Sequence, residues 1–318
     1  EDGIRDSVAS RGLGDVYKRQ QDSLAYFNGE WIPLNECGLS MEDRGFTLGD
    51  AVFEVERTFN HKIFDLDGHL DRLYRSLKFV RIDPGLTKDE MRNISEEAVK
   101  RVEHLGTKEG DFHVRQVVTR GPSGGSPTVF VSASPAGFNR YAPLYTQGCH
   151  VVFARTRSYH PDSLDTKVKH QSRMNFVLAS LEAADIDPDA FPVMLDLNGN
   201  VTEGTGFNFW IVTDGVLKTA GERSILQGVS RKAIIEIARE LNIPVSFEDY
   251  QLYDAYNADE AFISGTTPCV LPASKLDNRP IGNGIYPGPI SKLLLEAWSK
   301  KVGVDIMGQS RKLSGIDA

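Results

Sequence analysis

Surplus positive charge is missing from this 318-residue chain: 36 Lys and Arg stand against 44 Asp and Glu, a formal net charge of -8. No basic stripe is therefore available to neutralise a phosphate backbone, which argues against a nucleic-acid partner. Long apolar runs are missing too, since none reaches the roughly 20 residues that a membrane-spanning helix needs. Cysteine is sparse. Cys37, Cys149 and Cys269 are odd in number and far apart, which removes a disulfide framework and a CxxC zinc pattern and fits a reducing cytoplasm. The seven histidines form neither HExxH nor a Cys/His cluster, so no metal is expected. No repeat or low-complexity tract is present.

What the chain does have is a globular composition, 40% hydrophobic, and a length that suggests one or two domains. Residues 1–20 carry neither the apolar h-region of a signal peptide nor the amphipathicity of a transit peptide. The run from Asp15 to Gln20 resembles a translated sequencing-adaptor end, so residues 1–21 are expected to be an artefactual or disordered leader. From there hairpins and helices alternate. Asn28-Gly29 between short apolar runs is a hairpin turn whose positions need positive φ. Residues 51–59 alternate, turn at Asn60-His61 and return at 62–64; residues 68–80 show helical spacing; Thr87-Lys88-Asp89-Glu90 is a capping box opening a second helix. Strands at 112–119 and 128–133 complete an α+β domain over 22–141, with residues 136–145 as the linker. The second domain, 142–303, reads as a strand at 151–153, a helix at 173–184 and hairpins at Asn198-Gly199 and Asp214-Gly215. Ser230 should cap a helix over 231–241, a strand at 260–264 should lead into Gly265-Thr266-Thr267-Pro268, and a last helix should run from Pro289 to Gly303. Residues 304–318 read as a loose tail.

Three motifs in the second half carry chemistry. Lys169, in Lys169-His170-Gln171-Ser172-Arg173-Met174-Asn175, offers the primary amine that a cofactor aldehyde needs to form a Schiff base. Glu203, in Thr202-Glu203-Gly204-Thr205-Gly206, offers a carboxylate that would keep a pyridine nitrogen protonated. Gln227-Gly228-Val229-Ser230 opens a helix whose N–H groups would take a phosphate. Singly, each has a plainer reading: Lys169 a surface charge, Glu203 a hairpin-end carboxylate, Ser230 a cap worth about 1 kcal/mol. Lys167 competes with Lys169, because residues two apart on a strand share a face. Order and spacing, rather than any one residue, point to pyridoxal phosphate. Two patterns are decoys. Gly121-Pro122-Ser123-Gly124-Gly125 satisfies G-x-S-x-G, but strand-like residues follow where a nucleophile elbow needs a helix. Gly282-Asn283-Gly284 lacks the third glycine of a dinucleotide loop and reads as a turn.

With these motifs the chain, from about Tyr26 to Gly303, resembles fold-type IV pyridoxal phosphate enzymes: branched-chain and D-amino acid aminotransferases, (R)-selective amine transaminases and aminodeoxychorismate lyases. The segments Asp43-Arg44-Gly45-Phe46 and His69-Leu70-Asp71-Arg72-Leu73 carry the resemblance in the first half. It implies an α/β (α+β) fold of two domains, a smaller N-terminal α/β domain and a larger C-terminal pseudo-barrel domain, paired as a homodimer. It implies Lys169 as the catalytic lysine, Arg72, Glu203, Gly228, Val229, Ser230 and Thr266 as cofactor residues, and Thr205, Gly206 and Thr267 beside the substrate. Phe53-Glu54-Val55-Glu56-Arg57 and His113-Val114-Arg115 resemble substrate strands of the branched-chain and D-amino acid enzymes, which makes Phe53, Arg57, His113 and Arg115 candidates for the substrate. Arg57 and Arg115 could equally be salt-bridged on an outer face. Gly206-Phe207-Asn208 resembles the (R)-amine transaminases, while Lys169-His170 with Arg173 resembles the lyases. The implied activity is ping-pong transamination between a branched-chain or related hydrophobic amino acid and a 2-oxo acid. An (R)-amine or D-amino acid transaminase is the first alternative, a lyase or a non-catalytic cofactor-binding protein the next.

Overall fold

Asn28 and Gly29 adopt φ of 51° and 103°, and that turn starts the architecture of a computed structural model that describes residues 23–316. The leader expected at 1–21 lies outside the described residues. The chain divides into two compact units, Glu1–Ala136 and Gly137–Ala318.

In the first unit, β1 (Leu24–Phe27), β2 (Glu30–Pro33), β3 (Ala51–Phe59), β4 (Lys62–Ile63), β5 (Phe112–Thr119) and β6 (Val129–Pro135) form an antiparallel sheet in the order β2-β1-β6-β5-β3-β4. Two helices cover one face, α1 (Leu66–Val80) and α2 (Lys88–Val102). The capping box opens α2 as its spacing predicts: Glu90 N–H donates to Thr87 Oγ1, and the Glu90 carboxylate accepts from Thr87 N–H. Leu70, Leu73 and Leu77 from α1 and Met91, Ala98 and Val102 from α2 bury against Val52, Val114, Val118 and Val131. Each buried Leu, Met or Val contributes about 1.5–3 kcal/mol of transfer free energy.

That same interface carries charge. Arg72 donates from Nε and Nη2 to Glu54 at 2.7 and 2.6 Å, and His69 Nδ1 lies 2.8 Å from the same carboxylate. One strand position pair further, Glu56 accepts two contacts from Gln116 Nε2, at 3.0 and 3.1 Å, and Gln116 Nε2 also reaches Ser95. Burial pushes the Glu54 carboxyl up, but Arg72 and His69 outweigh it and hold it at about 2. Burial, helped by the nearby Glu54 charge, drives Glu56 well above the ordinary carboxylate range, only partly offset by Gln116. The loop after β5 leads into β6 rather than a helix, so Gly121–Gly125 is no nucleophile elbow.

The second unit opens on β7 (Cys149–Arg157), whose connection runs through α3 (Met174–Ala184) to the parallel strand β8 (Phe191–Leu195). Then follow β9 (Val201–Gly204), β10 (Asn208–Thr213), β11 (Val216–Thr219), α4 (Val229–Glu240), β12 (Val245–Phe247), β13 (Glu260–Gly265), β14 (Cys269–Leu276), β15 (Arg279–Pro280), α5 (Pro289–Val302) and α6 (Ile306–Leu313). The strand order is β12-β11-β10-β13-β14-β7-β8-β9, and β9 also pairs with β10 through Glu203 and Asn208. Six strands therefore close into a ring, the pseudo-barrel that the resemblance implies. Trp210 stacks on Phe262 inside the unit, with centroids 5.7 Å apart.

Two expectations give way here. The stretch expected to be a linker packs into the second unit from Gly137 onward, because Phe138 and Tyr145 are buried and Tyr145 Oη donates to the Pro268 carbonyl at 2.8 Å. The expected tail contains α6, started by Asp305 accepting from Gly308 N–H and anchored by buried Ile306. Among the described residues, no helix is long and apolar enough to cross a membrane.

The two buried glutamates should respond oppositely to pH. Glu54, depressed, gives stability that is present above the ordinary carboxylate value and lost as pH falls toward about 2; Glu56, raised, favours folding at low pH and loses that contribution as pH climbs. In urea melts, Glu54→Gln should cost about 3–5 kcal/mol by stranding buried positive charge. Glu56→Gln should be neutral or stabilising at pH 8 and flatten the alkaline decline, so a large loss there would contradict a neutral Glu56.

Candidate functional site

Lys169 lies in the connection that leaves the carboxyl end of β7 and enters α3, the end of a parallel strand where α/β folds place ligands. This connection is turns rather than strand, so the two lysines differ in environment rather than in strand facing. Lys167 is 44% exposed and paired with Asp165 at 3.0 Å, whereas Lys169 is half-buried. Two tethers flank Lys169. Thr166 Oγ1 donates to the carbonyls of Arg223 and Ile225, at 2.9 and 3.3 Å, and the Arg173 guanidinium donates to the Thr205 carbonyl while stacking on Phe176. Tyr159 Oη fixes the end of the loop through the Ser172 carbonyl, 3.1 Å away. His170 is buried edge-on against Tyr159; burial, then the charges of Arg173 and Lys169, lower it to about 4, so its imidazole is neutral at physiological pH.

Glu203 is the next-to-last residue of β9, where the barrel closes. It is 8% exposed, and its carboxylate accepts from Leu226 N–H at 3.1 Å and from Asn208 Nδ2 at 3.2 Å. Gly204 leaves room for the Phe207 ring, which a Cβ there would meet at 2.1 Å unless the ring moved. Gly265 packs beside Gly206, whose carbonyl would lie 3.5 Å from a Cβ at 265, so the Thr205-Gly206 and Thr266-Thr267 turns are neighbours. The α4 helix opens with Gly228 as N-cap and with no side-chain cap; Ser230 is its second residue rather than the expected cap, since the chain turns helical at Val229. The first-turn N–H groups of Val229 and Ser230 thus meet no capping side chain, which suits an anion. Behind them Arg231 is buried against Phe247 and 3.7 Å from Glu222.

The remaining candidates lie in the first unit. Phe53, Arg57, His113 and Arg115 share one sheet face by register, Arg57 opposite His113 and Val55 opposite Arg115, and this is the face that α1 and α2 leave uncovered. Arg57 is held by Asp111 at 3.7 Å with both side chains buried, whereas Arg115 is exposed, 5.8 Å over the Phe53 ring. Burial, then Arg57, lowers His113 to about 4. Arg72 sits on the opposite, helix-covered face, bound to Glu54. The structure thus gathers Lys169, Glu203, Thr205, Gly206, Gly228, Val229, Ser230, Thr266 and Thr267 in one unit and leaves five candidates in the other. Sequence reasoning passed over Glu54, which orients Arg72, and Asn208, which binds Glu203. The signal for Asn208 was a strand-depleted residue opening an apolar strand. Among the described residues no group of His, Cys, Asp or Glu side chains gathers that could hold a metal ion.

Comparison with known proteins bears on this arrangement. Residues 51–276 match the family described as Amino-transferase class IV. A relative from Methanocaldococcus jannaschii, provisionally named a branched-chain-amino-acid aminotransferase, is 38% identical over 283 residues, 85% of this chain and 93% of its own length. A D-alanine aminotransferase of Bacillus licheniformis is 29% identical, covering 84% of this chain and 92% of itself. A solved T.th. branched-chain amino acid aminotransferase, complexed with N-(5'-phosphopyridoxyl)-L-glutamate, matches with a TM-score of 0.80 at 26% identity, over 93% of this chain and 97% of that one.

The Gly204 contact gives a test of the closure geometry. Gly204→Ala should lower stability by about 1–3 kcal/mol through overpacking, read as a drop in Tm, and Phe207→Ala in the same chain should recover much of it. No loss in the single variant would show that the Phe207 ring does not fill the space above residue 204.

Proposed function

This chain belongs to the class IV amino-transferase family, and from that premise we propose that it is a pyridoxal phosphate-dependent aminotransferase acting on branched-chain or related hydrophobic amino acids and 2-oxo acids. The observation that carries the reading is the joining of a buried carboxylate, Glu203, to an uncapped helix start, Gly228-Val229-Ser230, beside the tethered loop of Lys169. The residues present fit that cofactor. The N–H groups at the start of α4 and the Thr266 turn would hold its phosphate. Glu203 would face its ring nitrogen. When bound, pyridoxal phosphate supplies an aldehyde and an electron-withdrawing ring.

The protein's own groups do the rest. Lys169 Nζ would be the atom that moves the substrate α-proton, work worth about 10²–10⁴ in rate. The Leu226 N–H and the Asn208 amide hold the Glu203 carboxylate in place. In the first unit Arg115, exposed beside Phe53, is the group we assign to the substrate carboxylate, since Arg57 is already held by Asp111. Thr205, Gly206 and Thr267 complete the substrate contacts. The same reading takes the enzyme as a cytoplasmic homodimer. Its support is an exposed apolar stripe along α3, Met174, Val177, Leu178 and Leu181, of the kind that a second copy covers.

The reading is checked by giving the cofactor-loaded protein L-leucine, D-alanine and (R)-1-phenylethylamine in turn, with and without a 2-oxo acid acceptor. L-Leucine should transfer its amino group fastest and only with the acceptor present. Faster turnover of D-alanine or the amine would favour the first alternative, and acceptor-independent release of pyruvate from aminodeoxychorismate would identify a lyase.

A further inference from the structure

Asn208 touches both halves of the site, yet no motif gives it a role. It opens β10 at 4% exposure, in a position where β-branched or aromatic residues are usual. Its Nδ2 donates to Glu203 Oε2 at 3.2 Å and to the Leu226 carbonyl at 3.1 Å. Leu226 N–H returns to Glu203 Oε1 at 3.1 Å, which closes a hydrogen-bonded ring of three residues. The other amide atom, Oδ1, faces Gly228, where a Cβ would come within 2.2 Å. One planar group with two N–H donors and a flat acceptor edge is needed here. Aspartate has no donor, serine has one and is shorter, and glutamine would drive its extra methylene toward Gly228.

We propose that Asn208 is a positioning residue that couples the two ends of the cofactor site, fixing the Glu203 carboxylate relative to the phosphate-binding start of α4. A ligand that engages both ends then binds better than its two parts predict, because neither end has to be ordered separately. In this proposal Asn208 acts through Glu203 and the Leu226-Gly228 turn rather than by contacting the ligand. The inference rests on the pyridoxal phosphate reading above.

The test uses the full chain stripped of cofactor and two probes measured by calorimetry, pyridoxamine 5'-phosphate and pyridoxamine. Wild type should favour the phosphate-bearing probe strongly. Asn208→Ser should weaken pyridoxamine 5'-phosphate by about 10- to 100-fold, the loss of one hydrogen bond to a charged group. It should also shrink the ratio between the two probes and move the acid limb of the binding profile to higher pH, since Glu203 loses a donor that favours its charged form. Asn208→Asp, nearly isosteric and set against Glu203, should weaken binding further, and it keeps the test usable should the serine variant melt early. In a Glu203→Gln background the Asn208→Ser loss should be smaller. Unchanged affinity and ratio in both Asn208 variants, or strictly additive losses with Glu203→Gln, would overturn the coupling. Failure of wild type to bind either probe would instead overturn the cofactor reading.

Discussion

The pairing of Glu203 with Asn208 is the constraint on which the second unit depends. It is where β9 meets β10 and six strands become a ring, so that neither strand end presents an unpaired edge there. A carboxylate buried at such a junction is costly unless its oxygens are occupied, and the Leu226 N–H and the Asn208 amide occupy them. The same contacts draw the Leu226-Gly228 turn against the barrel rim and so set where α4 begins. The lysine loop is then fastened to this assembly at both sides, through Thr166 to Arg223 and Ile225 and through Arg173 to Thr205. A buried carboxylate, an uncapped helix start and the Lys169 loop come from segments well separated along the chain, and these hydrogen bonds join them within one unit.

The first unit solves a related problem with a different outcome. Glu54 and Glu56 lie two residues apart on one strand face, both fully buried, yet Arg72 and His69 hold the first low while only the Gln116 amide attends the second. The pair shows that partner identity, more than burial, decides the charge state of an interior carboxyl. Arg72, held by two nitrogens, has little rotamer freedom left, which is the condition for a guanidinium to present a fixed edge to an anion. On the opposite sheet face Arg57 is already engaged by Asp111, and exposed Arg115 is the better placed to meet a ligand.

Much of the fold was legible because its signals are local. Asn28-Gly29, Asn60-His61 and Asp214-Gly215 each need positive φ, and each makes the hairpin turn its composition implies. Thr87 and Glu90 satisfy one another within a single turn. Legibility failed where the deciding partner is distant or bears no side chain. Gly228 caps α4 without a side-chain signature, so Ser230 looked like the cap. Tyr145 is locked by a carbonyl more than a hundred residues away, so its segment looked like a linker. Asp305 starts a short helix whose weak periodicity read as a tail. The site motifs were readable as an order of residues, but the reason Asn208 matters appears only once strand register sets it opposite Glu203.

The central claim is that the amine of residue 169, and no other, reaches the cofactor aldehyde beside Glu203. Borohydride reduction of the cofactor-loaded protein followed by peptide mass mapping tests it directly. The account predicts a single pyridoxyl label on Lys169. A label on Lys167, or no covalent label on a fully loaded protein, would contradict it.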